Sequence, residues 1–171
     1  STQDSDGGFG GNEMYTDWAA IALGAAGTED TVKTKIVEFV KAHNKISAIV
    51  TDNERRVMAL LALGENPYSF GGIDYIDSIA KSFDGKQFGN DEFINDDIFA
   101  LIPLASVGYT EKDEIIRKDI SFLIAKQKQN GSWENGVDIT SAAVQGLTPF
   151  SAMTDVSTAL RQAKKYLKDT Q

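Results

Sequence analysis

The sequence predicts an all-α fold, an α/α toroid in which helical hairpins form an inner and an outer ring, here as a four-hairpin portion. Three observations predict it. A motif recurs at a spacing of a little over forty residues, each repeat carries two helical patterns, and the composition favours helix. Only three prolines interrupt 171 residues, and hydrophobic residues make up 42% of the chain, enough to bury a core.

The repeat is clearest at Phe122-Leu123, three residues, Gln127, three residues, and Gly131-Ser132-Trp133. The chain closes on Tyr166-Leu167, three residues, and Gln171; it opens on Gln3, three residues, and Gly7-Gly8-Phe9. Phe39-Val40, three residues, Asn44 is a degenerate copy. Anchors at 3, 44, 127 and 171 stand 41, 83 and 44 residues apart, which is one, two and one repeats. The expected organisation is a single repeat domain over 1–171, with units of approximately 1–44, 45–87, 88–127 and 128–171.

The first helix of each unit is rich in small apolar residues: Trp18 to Ala26, Asn53 to Leu63, Ile98 to Val107 and Ile139 to Leu147. The second is amphipathic: Val32, Ile36, Phe39; Ile76, Ile79, Phe83; Ile116, Ile120, Leu123; and Val156, Leu160, Ala163, Leu167. A helix apolar all round belongs inside and an amphipathic one outside, so the patterns assign the rings. Gly24, Gly27, Gly64, Pro67, Gly108 and Pro149 are expected to close the inner helices. Asp17, Asp52, Asp96 and Asp138 recur just ahead of them and read as N-caps, with Thr51 and Glu54 as a capping box.

Charge and missing residue types exclude several functions. Net charge is −8, from 25 acidic and 17 basic residues, so the basic stripe that nucleic-acid binding needs is lacking. With no cysteine there is no thiolate catalysis and no zinc site that requires sulfur, and His43 alone cannot form a histidine cluster. No apolar run has the roughly eighteen residues a membrane span requires. No metal or cofactor is expected.

The stretch Phe122-Leu123-x3-Gln127-x3-Gly131-x-Trp133 resembles the QW motif of the terpene-cyclase and protein-prenyltransferase superfamily, with Asp119 where a small residue is usual. Gln3, Phe9, Gln127, Gly131 and Trp133 then take the motif's structural role, in which the Gln and the aromatic tie outer helices together. The wider chain is similar to squalene-cyclase-like or prenyltransferase-like repeat modules of prokaryotic surface proteins, through Thr51-Asp52-Asn53-Glu54-Arg55-Arg56, Asn66-Pro67-Tyr68-Ser69-Phe70-Gly71-Gly72 and Asn95-Asp96-Asp97-Ile98-Phe99-Ala100-Leu101. That resemblance implies an extracellular or cell-surface location. Complete toroids of the superfamily have about six hairpins, so four imply an open arc whose ends, near Gln3 and Gln171, are covered by self-association or partner hairpins.

The resemblance also frames the activities to weigh. Prenyltransferase zinc chemistry needs a Cys and is excluded. A class II cyclase protonates an alkene from an Asp-x-Asp-Asp motif; the nearest match is Ile94-Asn95-Asp96-Asp97, with Asp96 as the acid and Asp97 its partner. The competing reading places both in the first turn of a helix. Asp91, Glu92, Asp96 and Asp97 also supply the paired carboxylates of a glycosidase, as any acidic chain would. Gly7-Gly8-Phe9-Gly10-Gly11 follows no strand and is a turn. Gly85-Lys86-Gln87 lacks the hydroxyl residue of a phosphate loop. Asp4-Ser5-Asp6 begins like a calcium loop but meets Tyr15 where a Glu belongs, leaving calcium at Asp4, Asp6 or Glu13 an alternative.

Candidate binding residues are Trp18, Arg55, Arg56, Phe99 and Gln145, all on inner helices facing a central cavity; the alternative makes the arginines exposed and the aromatics core. Arg56 is the most informative, because a charge on a buried helix needs a partner. The expected function is a noncatalytic binding or structural module of a larger secreted protein, taking a small apolar ligand or a protein partner. A class II cyclase-like enzyme is the alternative.

Overall fold

A computed structural model of the chain describes residues 2–90 and 92–170. Gln171, at the last motif position, and Asp91, among the candidate carboxylates, lie outside the described residues. Among the described residues there are eight α-helices, one 3₁₀ turn and no strand. The helices are α1 Glu13–Ala25, α2 Asp30–Ala42, α3 Val50–Leu63, α4 Tyr75–Lys81, α5 Asn95–Ser106, α6 Glu114–Lys126, α7 Val137–Leu147 and α8 Thr154–Asp169, with the 3₁₀ turn at Thr148–Phe150. They fall in two compact units, Ser1–Lys81 and Ser82–Gln171, each holding two hairpins.

In the first unit α1 packs on α3, with α2 against α1 and α4 against α3. Its core is Ile36, Phe39, Val40, Val57, Leu60, Tyr75, Ile76 and Ile79. In the second unit α5 packs on α7, α6 on α5, and α8 on both α7 and α6. Ile98, Leu101, Leu104, Ile116, Ile120, Leu123, Trp133 and Val156 fill that core. Each such aliphatic side chain contributes roughly 1.5–3 kcal/mol by leaving water, which is where most helix stability arises. The α1–α3, α5–α7 and α6–α8 contacts are compatible with the helical repeat that the sequence patterns describe. The first helix is the exception to the apolar inner pattern: α1 leaves Met14, Tyr15 and Trp18 between 40% and 55% exposed.

Helix starts differ from expectation. α1 begins five residues before Trp18, because Asn12 at the end of the glycine-rich turn accepts hydrogen bonds from the N–H groups of Met14 and Tyr15. Asp17 is therefore no cap; it lies in the second turn, buried against α3. Asp52, Asp96 and Asp138 sit inside the first turns of α3, α5 and α7, and none of those helices has a side-chain cap. The Thr51–Glu54 capping box does not form either, since Ile49 holds the N-cap position and Glu54 is buried. These carboxylates still face the positive end of a helix dipole, and Asp52 and Asp96 hold the preceding loop: Asp52 accepts from Ser47 Oγ and Asp96 from the N–H of Asn90.

Two further elements depart from the reading. α4 stops at Lys81, short of Phe83, because Asp84 accepts hydrogen bonds from the N–H groups of Lys86 and Gln87 and sets a turn that competes with the helix. Gly24 does not end α1. It lies inside it, where a Cβ would stand 2.5 Å from the carbonyl oxygen of Ala62 on α3. Gly64 and Gly108 do close α3 and α5, with Glu65 N–H returning to Leu60 and Tyr109 N–H to Leu104.

The recurring motif builds the same joint twice. Gln127 Nε2 donates to the carbonyls of Gly131 and Ala159, both at 2.9 Å; Gln3 Nε2 donates to those of Gly7 at 2.9 Å and Val32 at 3.2 Å. Each Gln thus ties its own loop to the next outer helix, α8 or α2. Gly131 and Gly7 sit at φ +88° and +91°, and a Cβ on either would meet the backbone of that outer helix, at Gln162 or Lys35. Trp133 is fully buried and its indole N–H donates to Leu123 at 2.7 Å, whereas Phe9 in the same place stays half-buried. Asn44 bonds instead to the carbonyls of Phe70 and Gly71 and accepts from Tyr75 OH.

A latch recurs in all four hairpins. The N–H of a loop residue donates to a buried side-chain oxygen near the start of the inner helix: Phe9 to Thr16, Ser47 to Asn53, Phe88 to Asp97 and Trp133 to Thr140. Its distances run from 2.7 to 3.0 Å, and all four acceptor residues are buried. Burying a loop N–H without such an acceptor costs about 1–3 kcal/mol, so every repeat supplies one.

Candidate binding site

In the first unit, the glycine-rich turn, the start of α1, the segment after α2 and the start of α3 enclose a cleft of about 480 Å³. α1 starts early enough to turn Glu13 and Asp17, four residues apart, toward α3, which presents Arg55 and Arg56. Arg56 Nε stands 2.9 Å from Asp17 Oδ1, and Arg56 Nη2 3.4 Å from Glu13 Oε2. Arg55 reaches Asp52 at 2.7 Å and Asp17 at 3.6 Å; Lys45 reaches Glu13 at 2.9 Å. Met14, Phe39, His43 and Asn53 complete much of the wall.

Burial decides the electrostatics. Asp17 is 1% exposed and Arg56 5%. Burial pushes the Asp17 carboxyl up to about 6, against the pull of Arg56 and Arg55 toward the ionised form. Asp52, at the rim, is held below the usual carboxylate range: hydrogen bonds from Arg55 and Ser47 outweigh its partial desolvation. Arg56 Nη1 has no hydrogen-bond partner, so a buried cation at the cleft wall keeps an unused donor. Arg56 has the partners its helix position demanded, and neither arginine is an exposed first-turn residue. Trp18 is 46% exposed and follows Met14 by one helical turn, on the same side of α1.

Asp96 and Asp97 lie in the second unit. Asp96 is half-buried, on the N–H of Asn90. Asp97 is sealed: Oδ1 accepts the latch bond from Phe88 at 2.7 Å, and its carboxyl interacts with that of Asp119, buried on α6. Two carboxyl groups buried together favour keeping a proton on one of them. Burial pushes Asp97 up to about 6 while the Asp119 and Phe88 bonds pull the other way. Phe99 is half-buried on α5 and Gln145 is exposed on α7.

The turn carboxylates are engaged in structure. Asp4 accepts from the N–H of Gly11 and Asp6 from that of Gly8, and among the described residues no cluster of three acidic or histidine groups is placed to hold a metal. No helix among the described residues is long and apolar enough to cross a membrane. A second groove in the other unit, about 730 Å³, runs along α6 beside Phe122, with Lys86 and Lys126 ammonium groups 5.3 and 5.0 Å from its ring centroid.

Sequence reasoning overlooked Glu13 as a partner of Arg56 and placed Asp17 outside its helix. The available signal was Asn12, a good N-cap residue directly before Glu13. Phe88 went unnoticed because no Gln-x3-Gly precedes it. Compared with protein-family profiles, with curated proteins and with solved structures, the chain has no match.

Proposed function

We propose that the chain is a noncatalytic binding module of a larger secreted or cell-surface protein, related in fold to the squalene-cyclase-like and prenyltransferase-like toroids, and that the cleft of the first unit is where it binds. The observation that carries this reading is Arg56. It is buried beside Asp17 at the wall of a formed cleft, and one of its donors is free. A buried ion pair is a costly way to stabilise a repeat, since apolar residues of similar volume usually do as well or better. At the place of Arg56, three residues past the latch, the other three hairpins carry Ala19, Ala100 and Ala143. The polar lining also changes the ligand expected, from an apolar molecule to one that forms hydrogen bonds.

The arrangement of Asp96 and Asp97 supports the noncatalytic reading over the cyclase one. Asp97 occupies the latch position that Thr16, Asn53 and Thr140 fill in the other hairpins, and its Oδ1 is spent on Phe88. The QW-type joints at Gln3 and Gln127 support the kinship in fold. The test is a nuclear magnetic resonance titration that follows the Nε–Hε signals of Arg55 and Arg56. The probes are acetate, methylammonium, glycinamide, maltose and cellobiose. Saturable shifts at Arg56 with at least one neutral probe are expected, and silence with every probe overturns the proposal.

A further inference from the structure

Resting on that reading of the cleft, we infer that its ligand is a neutral saccharide, held by hydroxyl bonds to Arg56, Asp17 and Glu13 and by packing of the sugar's C–H face on Trp18. Three observations point there. The first is charge balance. The carboxylates of Asp6, Glu13, Asp17 and Asp52 line the cleft with Lys45, Arg55 and Arg56; six of the seven are already paired across distances of 2.7–3.6 Å, and Asp6 accepts the N–H of Gly8. A ligand of either sign would have to break one of these pairs and leave a buried charge uncompensated. A neutral molecule leaves them intact.

The second is donor and acceptor supply. Arg56 Nη1 is a donor without a partner, while the carboxylates beside it retain lone pairs. A hydroxyl both donates and accepts, so one sugar hydroxyl satisfies Arg56 and a carboxylate together. An amide separates those roles, and an apolar group satisfies neither. The third is an exposed aromatic on the helix that brings Glu13, Met14 and Asp17 to the cleft. Trp18 exposes 46% of its surface one turn after Met14, which lines the cleft and is itself 40% exposed. An aromatic left in water beside a polar, hydrogen-bonding wall is the surface a pyranose matches, with hydroxyls at its edge and C–H groups on its faces.

The chain provides its own reporter. Of its two tryptophans Trp133 is fully buried, so acrylamide quenches Trp18 selectively. Maltose and cellobiose are titrated while quenching and the Arg56 Nε–Hε signal are both followed. The expected result is that at least one disaccharide protects Trp18 and shifts Arg56 with the same midpoint. Trp18→Ala, an exposed position that leaves the core untouched, should weaken that shift about tenfold, the loss of one aromatic contact. If glycinamide, acetate or methylammonium shifts Arg56 while neither disaccharide shifts it or protects Trp18, the saccharide assignment is wrong and the cleft stands as a site for another ligand. If no probe acts on Arg56, both fall.

Discussion

Replacing Asp97 and Asp119 together by Thr and Ala should change how stability depends on pH, with a sign the structure dictates. Both residues fill repeat positions that carry other side chains elsewhere. Asp97 stands where Thr16 and Thr140 hold the latch, and a Thr hydroxyl still accepts the Phe88 N–H. Asp119 lies eight residues before its anchor Gln127; the same offset from Asn44 and Gln171 gives Ile36 and Ala163, both fully buried. The Asp97 carboxyl is raised from 3.8 to about 6, so it stabilises the fold fully below pH about 4 and loses that contribution as pH rises through 6. Two units at 1.36 kcal/mol each make the loss about 3 kcal/mol by pH 7. At pH 4 the variant forfeits the interaction between the two carboxyl groups, about 1 kcal/mol, and is slightly less stable than the parent. At pH 7 it should be more stable by about 2 kcal/mol. Asp17 also titrates near 6 but is common to both proteins and cancels in the difference. Urea unfolding followed by circular dichroism at pH 4, 5, 6 and 7 measures the difference. A gap between variant and parent that stays flat from pH 4 to 7 refutes the raised Asp97 carboxyl.

Other perturbations test the joints and the cleft. Arg56→Met should cost about 3 kcal/mol, the low end for stranding a buried partner, because Arg55 Nε remains 3.6 Å from Asp17. Adding Asp17→Leu should recover most of it, and equal melting temperatures for the single and double variants would contradict the ion pair's role. Trp133→Ala should cost about 3–5 kcal/mol, since the indole is fully buried and bonded to Leu123; an unchanged melting temperature would be incompatible with that burial. Gly131→Ala brings a Cβ to 2.4 Å from the Gln162 carbonyl at φ +88°, for a loss of about 2–4 kcal/mol. Gly11→Ala, at φ +58° with open space around it, should lose only about 1 kcal/mol, so thermal melts of the two variants separate backbone conformation from close approach.

The sequence by itself determined the elements that depend on periodicity and local chemistry. Apolar residues at helical spacing place α2, α3, α5, α6, α7 and α8 because each segment must bury one stripe whatever surrounds it. Gln127, Gly131 and Trp133 were legible as a joint because their roles depend on short offsets within one loop. Gly64 and Gly108 were legible as helix ends for the same reason. What depends on a partner far along the chain was not. Asp17 reads as a cap until α3 is known to lay Arg55 and Arg56 against it, and Asp119 reads only as a misfit until Asp97 is found across the α5–α6 contact. The state of a buried carboxyl is set by the groups that displace water around it, and those come from other helices. Only tertiary packing could turn Arg56 from a charge in need of a partner into the wall of a cleft.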